Sequence, residues 1–146
     1  MAVDVLTDIL IQRPPEQVAS FAGNPDQAPA WYVNIKAVEW KTSPPLQVGS
    51  RVAFVAHFLG RKLEYTYEIH EWIPDKKLVM ATADGPFPME TTYTWAAEGD
   101  GCRMTLRNRG EPSGLSKLAA PLMTMAMRRA NEADLRKLKG ILEAAP

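Results

Sequence analysis

The stretch that decides the fold is the last one: Ser113-Gly114-Leu115-Ser116, then Leu118-Ala119-Ala120-Pro121-Leu122-Met123-Thr124-Met125-Ala126-Met127, closing with Leu135-Arg136-Lys137-Leu138-Lys139-Gly140-Ile141-Leu142-Glu143. Ala, Leu, Met, Arg, Lys and Glu dominate and β-branching is almost absent, which favours a helix. No other segment is long enough to be a major helix. Its halves differ. On a helical wheel Leu115, Leu118, Ala119, Leu122 and Ala126 share one face. Leu135, Leu138 and Leu142 form a stripe nearly opposite Leu122. A straight helix cannot bury both stripes against one partner. Either the helix kinks near Pro121, or Pro121 is its first residue after a short lead-in. The mostly uncharged first half is expected to be buried nearly all round. The basic pairs Arg128-Arg129 and Arg136-Lys137, with Glu132 and Asp134 between them, read as a solvated face.

Ahead of this helix the chain alternates. Val3 to Ile11 reads as a strand stopped by Arg13-Pro14-Pro15-Glu16. A short helix follows over Pro15 to Ala22, with Val18, Ala19 and Phe21 inward. A second helical turn covers Pro25 to Trp31. Ile35 to Lys41 is a strand, broken by Thr42-Ser43-Pro44-Pro45. Ser50 to Leu59 and Lys62 to Trp72 are strands joined at Gly60-Arg61, a hairpin in which Gly60 supplies positive φ. In the second of these Leu63, Tyr65, Tyr67 and Ile69 alternate with Glu64, Thr66, Glu68 and His70, one face wet and one buried. Leu78 to Ala83, Glu90 to Ala97 and Cys102 to Arg109 complete the strands. The result is one α+β domain over residues 1–146. A curved antiparallel sheet of about seven strands wraps on the long C-terminal helix, with two short helices after the first strand.

Composition excludes several roles. At 146 residues the chain can bury a real core, and 46% hydrophobic against 23% charged residues is ordinary for a globular protein. Seventeen basic residues balance seventeen acidic ones, so no basic excess points to nucleic acid. One cysteine, Cys102, gives neither an intrachain disulfide nor a thiolate zinc cluster. No signal-peptide pattern and no membrane-length apolar run is present, so a cytoplasmic protein is the expectation. Nucleophile-elbow, metal-spaced histidine and phosphate-loop motifs are absent from the sequence, so neither a metal nor another cofactor is expected.

Several marks follow one another along the chain: Arg13-Pro14-Pro15-Glu16-Gln17-Val18 at the first helix; Trp31 ahead of Ile35-Lys36-Ala37-Val38-Glu39; Val48-Gly49; Glu71-Trp72-Ile73-Pro74; Asp100-Gly101-Cys102-Arg103 with Thr105; and Leu135-Arg136-Lys137-Leu138-Lys139. In this order they resemble the START-like, or Bet v 1-like (SRPBCC), superfamily, and within it the polyketide cyclase/dehydrase group. Cys102 replaces the group's usual threonine. The resemblance implies a helix-grip fold and an apolar cavity between sheet and helix. That cavity would hold a lipid-, polyketide- or aromatic-like molecule. No shared catalytic motif comes with it.

The expected cavity walls are Phe54, Tyr65, Tyr67, Met80, Tyr93, Trp95 and Met104 from the strands. Leu118, Leu122, Met123, Met125 and Met127 answer from the helix. Trp31 and the inward amide of Asn108 are further ligand-binding candidates. Candidate acid/base groups are His57, Tyr65 and Tyr93. His70 belongs to a wet face, Glu90 stands at the expected mouth, and Glu16 suits a helix first turn. The strand from Arg51 has two apolar faces, one of which a second copy would cover in a homodimer. The leading function is binding of a hydrophobic small molecule. The rivals are a cyclase, aromatase or dehydratase acting by substrate positioning, and a co-chaperone-like protein-binding module.

Overall fold

The computed structural model describes residues 3–58, 60–85, 87–111 and 119–144. Strand β1 spans Val3–Ile11, helix α1 Pro15–Ala22, a 3-10 turn Pro25–Gln27 and helix α2 Ala28–Trp31. Then come β2 (Ile35–Trp40), β3 (Arg51–Phe58), β4 (Arg61–Ile73), β5 (Lys77–Asp84), β6 (Met89–Glu98) and β7 (Gly101–Gly110). Helix α3 covers Ala120–Ala144. The strands form one seven-stranded antiparallel sheet in the order β1-β7-β6-β5-β4-β3-β2. β2 to β7 are a plain meander, and β1 joins it beside β7. α1, the turn and α2 therefore carry the chain from one sheet edge to the other. This is the helix-grip arrangement: a curled sheet holding one long helix.

The alternation seen in sequence sets the sheet's two faces. In β4 Tyr65, Tyr67 and Ile69 are buried while Glu64 and His70 are exposed. In β6 Thr91, Tyr93 and Trp95 are buried and Thr92 and Thr94 lie on the other side. The outer face of β7 is paired electrostatically. Arg107 bonds Asp4 at 2.7 Å, and Arg103 bonds Asp8 and Glu98 at 2.9 and 2.7 Å. Gly60 has φ +75°, as the β3–β4 hairpin demands.

α3 departs from expectation in its first half. Leu122 is 69% exposed and Met125 54%, so this half is not buried all round. The conflict between two opposed stripes is settled in favour of one. Met127, Asn131, Asp134, Leu135, Leu138 and Leu142 are buried, and the Leu122 face is left to solvent. Pro121 is the second residue of the described helix. There its missing N–H belongs to the set that has no intrahelical acceptor. The lead-in, with Leu115 and Leu118, lies outside the described residues. The C-terminal half packs on β1 and is tied there: Lys139 Nζ donates to Leu10 O at 2.7 Å, and Gln12 N–H donates to Glu143 Oε2 at 2.9 Å. Burying Leu135, Leu138 and Leu142 contributes about 1.5–3 kcal/mol each.

On the outer face of β3, Ala53 is only 2% exposed and Val55 half-buried, with His57 exposed beyond them. The outward apolar strip is thus narrower than the sequence pattern implied. No helix among the described residues is long and apolar enough to cross a membrane.

Candidate functional site

Between the sheet and the first turns of α3 lies a cavity of about 140 Å³. A dry cavity of about 150 Å³ is large enough to hold a single aromatic ring. Its position follows from the packing of α3. The C-terminal half, with Leu135, Leu138 and Leu142, fills the space over β1. Among the described residues of the N-terminal half, Met123 and Met127 line the gap that remains opposite β3 to β6. Phe54, Tyr65, Tyr67 and Met80 wall it from the sheet. The rings stack at angles: Phe54 and Tyr67 lie 5.7 Å apart edge-on, as do Tyr65 and Phe87 at 5.8 Å. Gly85 is needed here, because a Cβ on it would stand 2.7 Å from Tyr65 Cδ1.

The polar groups form two hydrogen-bonded clusters, Tyr32 with Tyr93 and Tyr67 with Thr91 and Asn108. Tyr32 and Tyr93 share a hydrogen bond of 2.5 Å between their hydroxyls. Asp134 is near enough to both to raise their pKa values further, and Tyr67 does the same. Thr91 Oγ1 donates to Asn108 Oδ1 at 2.7 Å, and Tyr67 hydrogen bonds the Thr91 side chain. Burial is the main cause that pushes Tyr65 and Tyr67 up to about 12, and it drives Tyr32 and Tyr93 well above the usual tyrosine value. All four stay protonated at neutral pH and act as hydroxyl donors. Asp134 is 2% exposed. Its Oδ1 accepts the Val33 N–H at 2.9 Å. Burial pushes its carboxyl up to about 6 against the lowering effect of that bond and of Lys137. Asn131, one turn earlier, is 4% exposed, and its Nδ2 has no hydrogen-bond partner among the described residues.

The structure brings Phe54, Tyr65, Tyr67, Met80, Tyr93, Asn108 and Met123 together around this cavity. It places the other candidates elsewhere. Trp31 is fully buried but stands behind the wall, its ring 4.0 Å from Tyr32 and 5.9 Å from Tyr93. Trp95 packs on Tyr93 and Trp72. Met104 pairs with Ile9 and Trp95 at the end of the sheet that α3 fills, so it is core and not cavity wall. Leu122 faces solvent. Leu118 lies outside the described residues. His57 is exposed on the outer side of β3, because its neighbour Ala56 takes the inward position. It cannot serve as the cavity's base. His70 is exposed as well. Glu90 points to the outer face and pairs with Arg109 at 3.5 Å, so it does not close the mouth. Glu16 is exposed in the first turn of α1. Among the described residues no group of three His, Cys, Asp or Glu side chains is placed to hold a metal ion.

Sequence reasoning missed Tyr32, Thr91, Asn131 and Asp134. Tyr32 follows a four-residue helix that has no periodicity to read. Asn131 and Asp134 sit among the charges of α3's second half, whose basic pairs read as a solvated face. The signal was present in the spacing: Met127, Asn131, Asp134, Leu135 and Leu138 recur at steps of 4, 3, 1 and 3.

The family model described as polyketide cyclase / dehydrase and lipid transport matches residues 2–143. No curated protein matches the chain significantly. Solved structures share the fold at low identity. A protein from Thermus thermophilus is 23% identical over 97% of both chains, with a TM-score of 0.84. A START superfamily protein from Mycobacterium smegmatis is 13% identical over 97% of both, at 0.81. The Zhui aromatase/cyclase from Streptomyces sp. R1128 is 14% identical over 96% of this chain and 93% of its own, at 0.77. With nearly the whole chain matched and the START-like fold in place, this protein belongs to the polyketide cyclase / dehydrase and lipid transport family.

Proposed function

We propose that this protein binds an apolar small molecule of about one or two rings that carries an oxygen function. The observation that carries the reading is the mostly apolar cavity of about 140 Å³ with a few hydrogen-bonded polar groups in its wall. Methionine and aromatic walls adapt to an apolar ring, and a few fixed polar groups orient it. The four protonated tyrosines supply hydroxyl hydrogens. Asp134, ionised above pH of about 6, disfavours an anionic ligand. Neutral molecules such as phenols or ring ketones fit this chemistry better than carboxylates.

The test is titration of the protein with 2-indanone and with indane, followed by NMR. Ala56 lines the cavity, so Ala56→Phe fills it from one wall. The expected result is saturable binding of the ketone that weakens at least tenfold in Ala56→Phe. Equal binding to both proteins, or none to either, would reject the cavity as the binding site.

A further inference from the structure

Asn131 and Asp134 are more than the polar trim of a binding site. They stand three residues apart on α3, which puts their side chains side by side. Both line the cavity and both are more than nine-tenths buried. An amide N–H without a partner at that depth costs about 1–3 kcal/mol. An oxygen acceptor in the cavity would relieve it. A carbonyl oxygen does so without bringing a second negative charge beside Asp134. The Asp134 carboxylate is held in direction by the Val33 N–H. A ligand carbonyl seated on Asn131 therefore sets its α-carbon next to a fixed carboxylate.

Resting on the binding reading above, we propose that the cavity is a proton-transfer site for apolar ketones, with Asp134 as the base and Asn131 as the oxyanion donor. Asp134 takes a proton from the carbon α to the carbonyl. The C–H bond breaks and its electron pair forms the enolate C=C. The carbonyl π pair moves onto oxygen, where Asn131 Nδ2–H and the Tyr32–Tyr93 hydroxyl pair meet the charge. The proton on Asp134 is exchanged with solvent through the cavity, and Asp134 delivers a proton back to the same carbon or to the vinylogous one. Nothing is oxidised or reduced, and no co-reactant is consumed. Burial tunes the base toward neutrality, where a carboxylate is both ionised and most effective. The titratable groups that face Asp134 are Tyr32 and Tyr93, with Lys137 on its own helix. β1, on which α3 packs, carries Asp4 and Asp8 on its outer side, paired with Arg107 and Arg103.

The experiment is hydrogen–deuterium exchange at the α-carbons of 2-indanone in D2O, followed by proton NMR beside a binding titration. The expected result is exchange about 10²-fold faster than in buffer, rising with pH to a plateau above about 7. Asp134→Asn keeps an acceptor for Val33; it is expected to bind the ketone and exchange it at the buffer rate. Asn131→Leu is expected to slow exchange of the bound ketone about tenfold or more. A bound ketone exchanging at the buffer rate, or Asp134→Asn exchanging as fast as the parent, overturns the proposal and leaves the binding reading standing. Binding of indane without binding of the ketone overturns it too. Failure of both to bind rejects both.

Discussion

The two halves of α3 obey opposite rules. The N-terminal half is nearly uncharged, yet Leu122 and Met125 face solvent. The C-terminal half is dense in charge, yet it buries three leucines, an asparagine and an aspartate. How apolar a segment is along its whole length does not decide what it buries; the stripe that meets the sheet does. Leu135, Leu138 and Leu142 fit the groove over β1, while upstream of them Met123, Met127, Asn131 and Asp134 line the cavity. The result is a filled core at one end of the helix and a cavity at the other.

This contrast can be broken by substitution. The largest effect is expected from Leu138→Ala. Leu138 is fully buried, and its truncation is expected to cost about 2–5 kcal/mol in urea unfolding. A cost below about 1 kcal/mol would mean that the C-terminal half is not the anchor.

Asp134→Asn is next. The folded-state pKa of Asp134 is raised to about 6 from 3.8. The protonated form is therefore favoured by folding: its contribution is fully present below pH of about 4 and is lost as pH rises through about 6. At pH of about 8 the buried charge costs about 2–3 kcal/mol. Asp134→Asn is expected to be more stable than the parent by about that much at the higher pH and equal to it near pH of about 4. A constant difference across this range would contradict the burial of a charged group there. Asn131→Leu sharpens the same point with a smaller effect. Removing an unpartnered buried amide is expected to leave stability unchanged or raise it by about 1 kcal/mol, although Asn131 sits in the charged half. A loss of about 2 kcal/mol would show that its side chain is structurally engaged.

Leu122→Ser and Arg107→Ala close the series. Leu122 lies on the exposed stripe, and its replacement is expected to shift stability by less than about 0.5 kcal/mol. The Arg107–Asp4 pair is at the surface, so Arg107→Ala is expected to cost less than the buried Leu138→Ala, and less still at high salt. A larger loss at Leu122 than at Leu138 would invert the comparison.

Much of the fold is legible in the chain. The period-two pattern of Leu63 to Ile69 orients β4 and, through pairing, its neighbours. Gly60 marks the hairpin, and Pro14-Pro15 the end of β1. The cavity's aromatic wall follows from those strands. What is not legible is which of α3's two stripes wins. That is decided by the shape of the curled sheet, which is a property of all seven strands together. The choice carries Asn131 and Asp134 inward and Leu122 outward. His57 is ambiguous in sequence for a related reason: β3 is apolar on both faces, so alternation alone gives no direction. Ala56 takes the inward position and His57 the outward one only once Phe54 is paired with Tyr65. Tyr32 sits where no periodicity exists at all.

The central claim is that an apolar ring enters the space between β3–β6 and the start of α3. Methionines report on it directly. Of the seven in the chain, Met80, Met89, Met123 and Met127 line the cavity, Met104 is buried outside it and Met125 is exposed. The decisive measurement is a titration with 2-indanone followed through the ¹³C-labelled methionine methyl signals. Saturable shifts are expected at Met80, Met89, Met123 and Met127, with Met104 and Met125 unmoved. Unmoved signals at Met80 and Met127, or shifts confined to Met125, would contradict that claim.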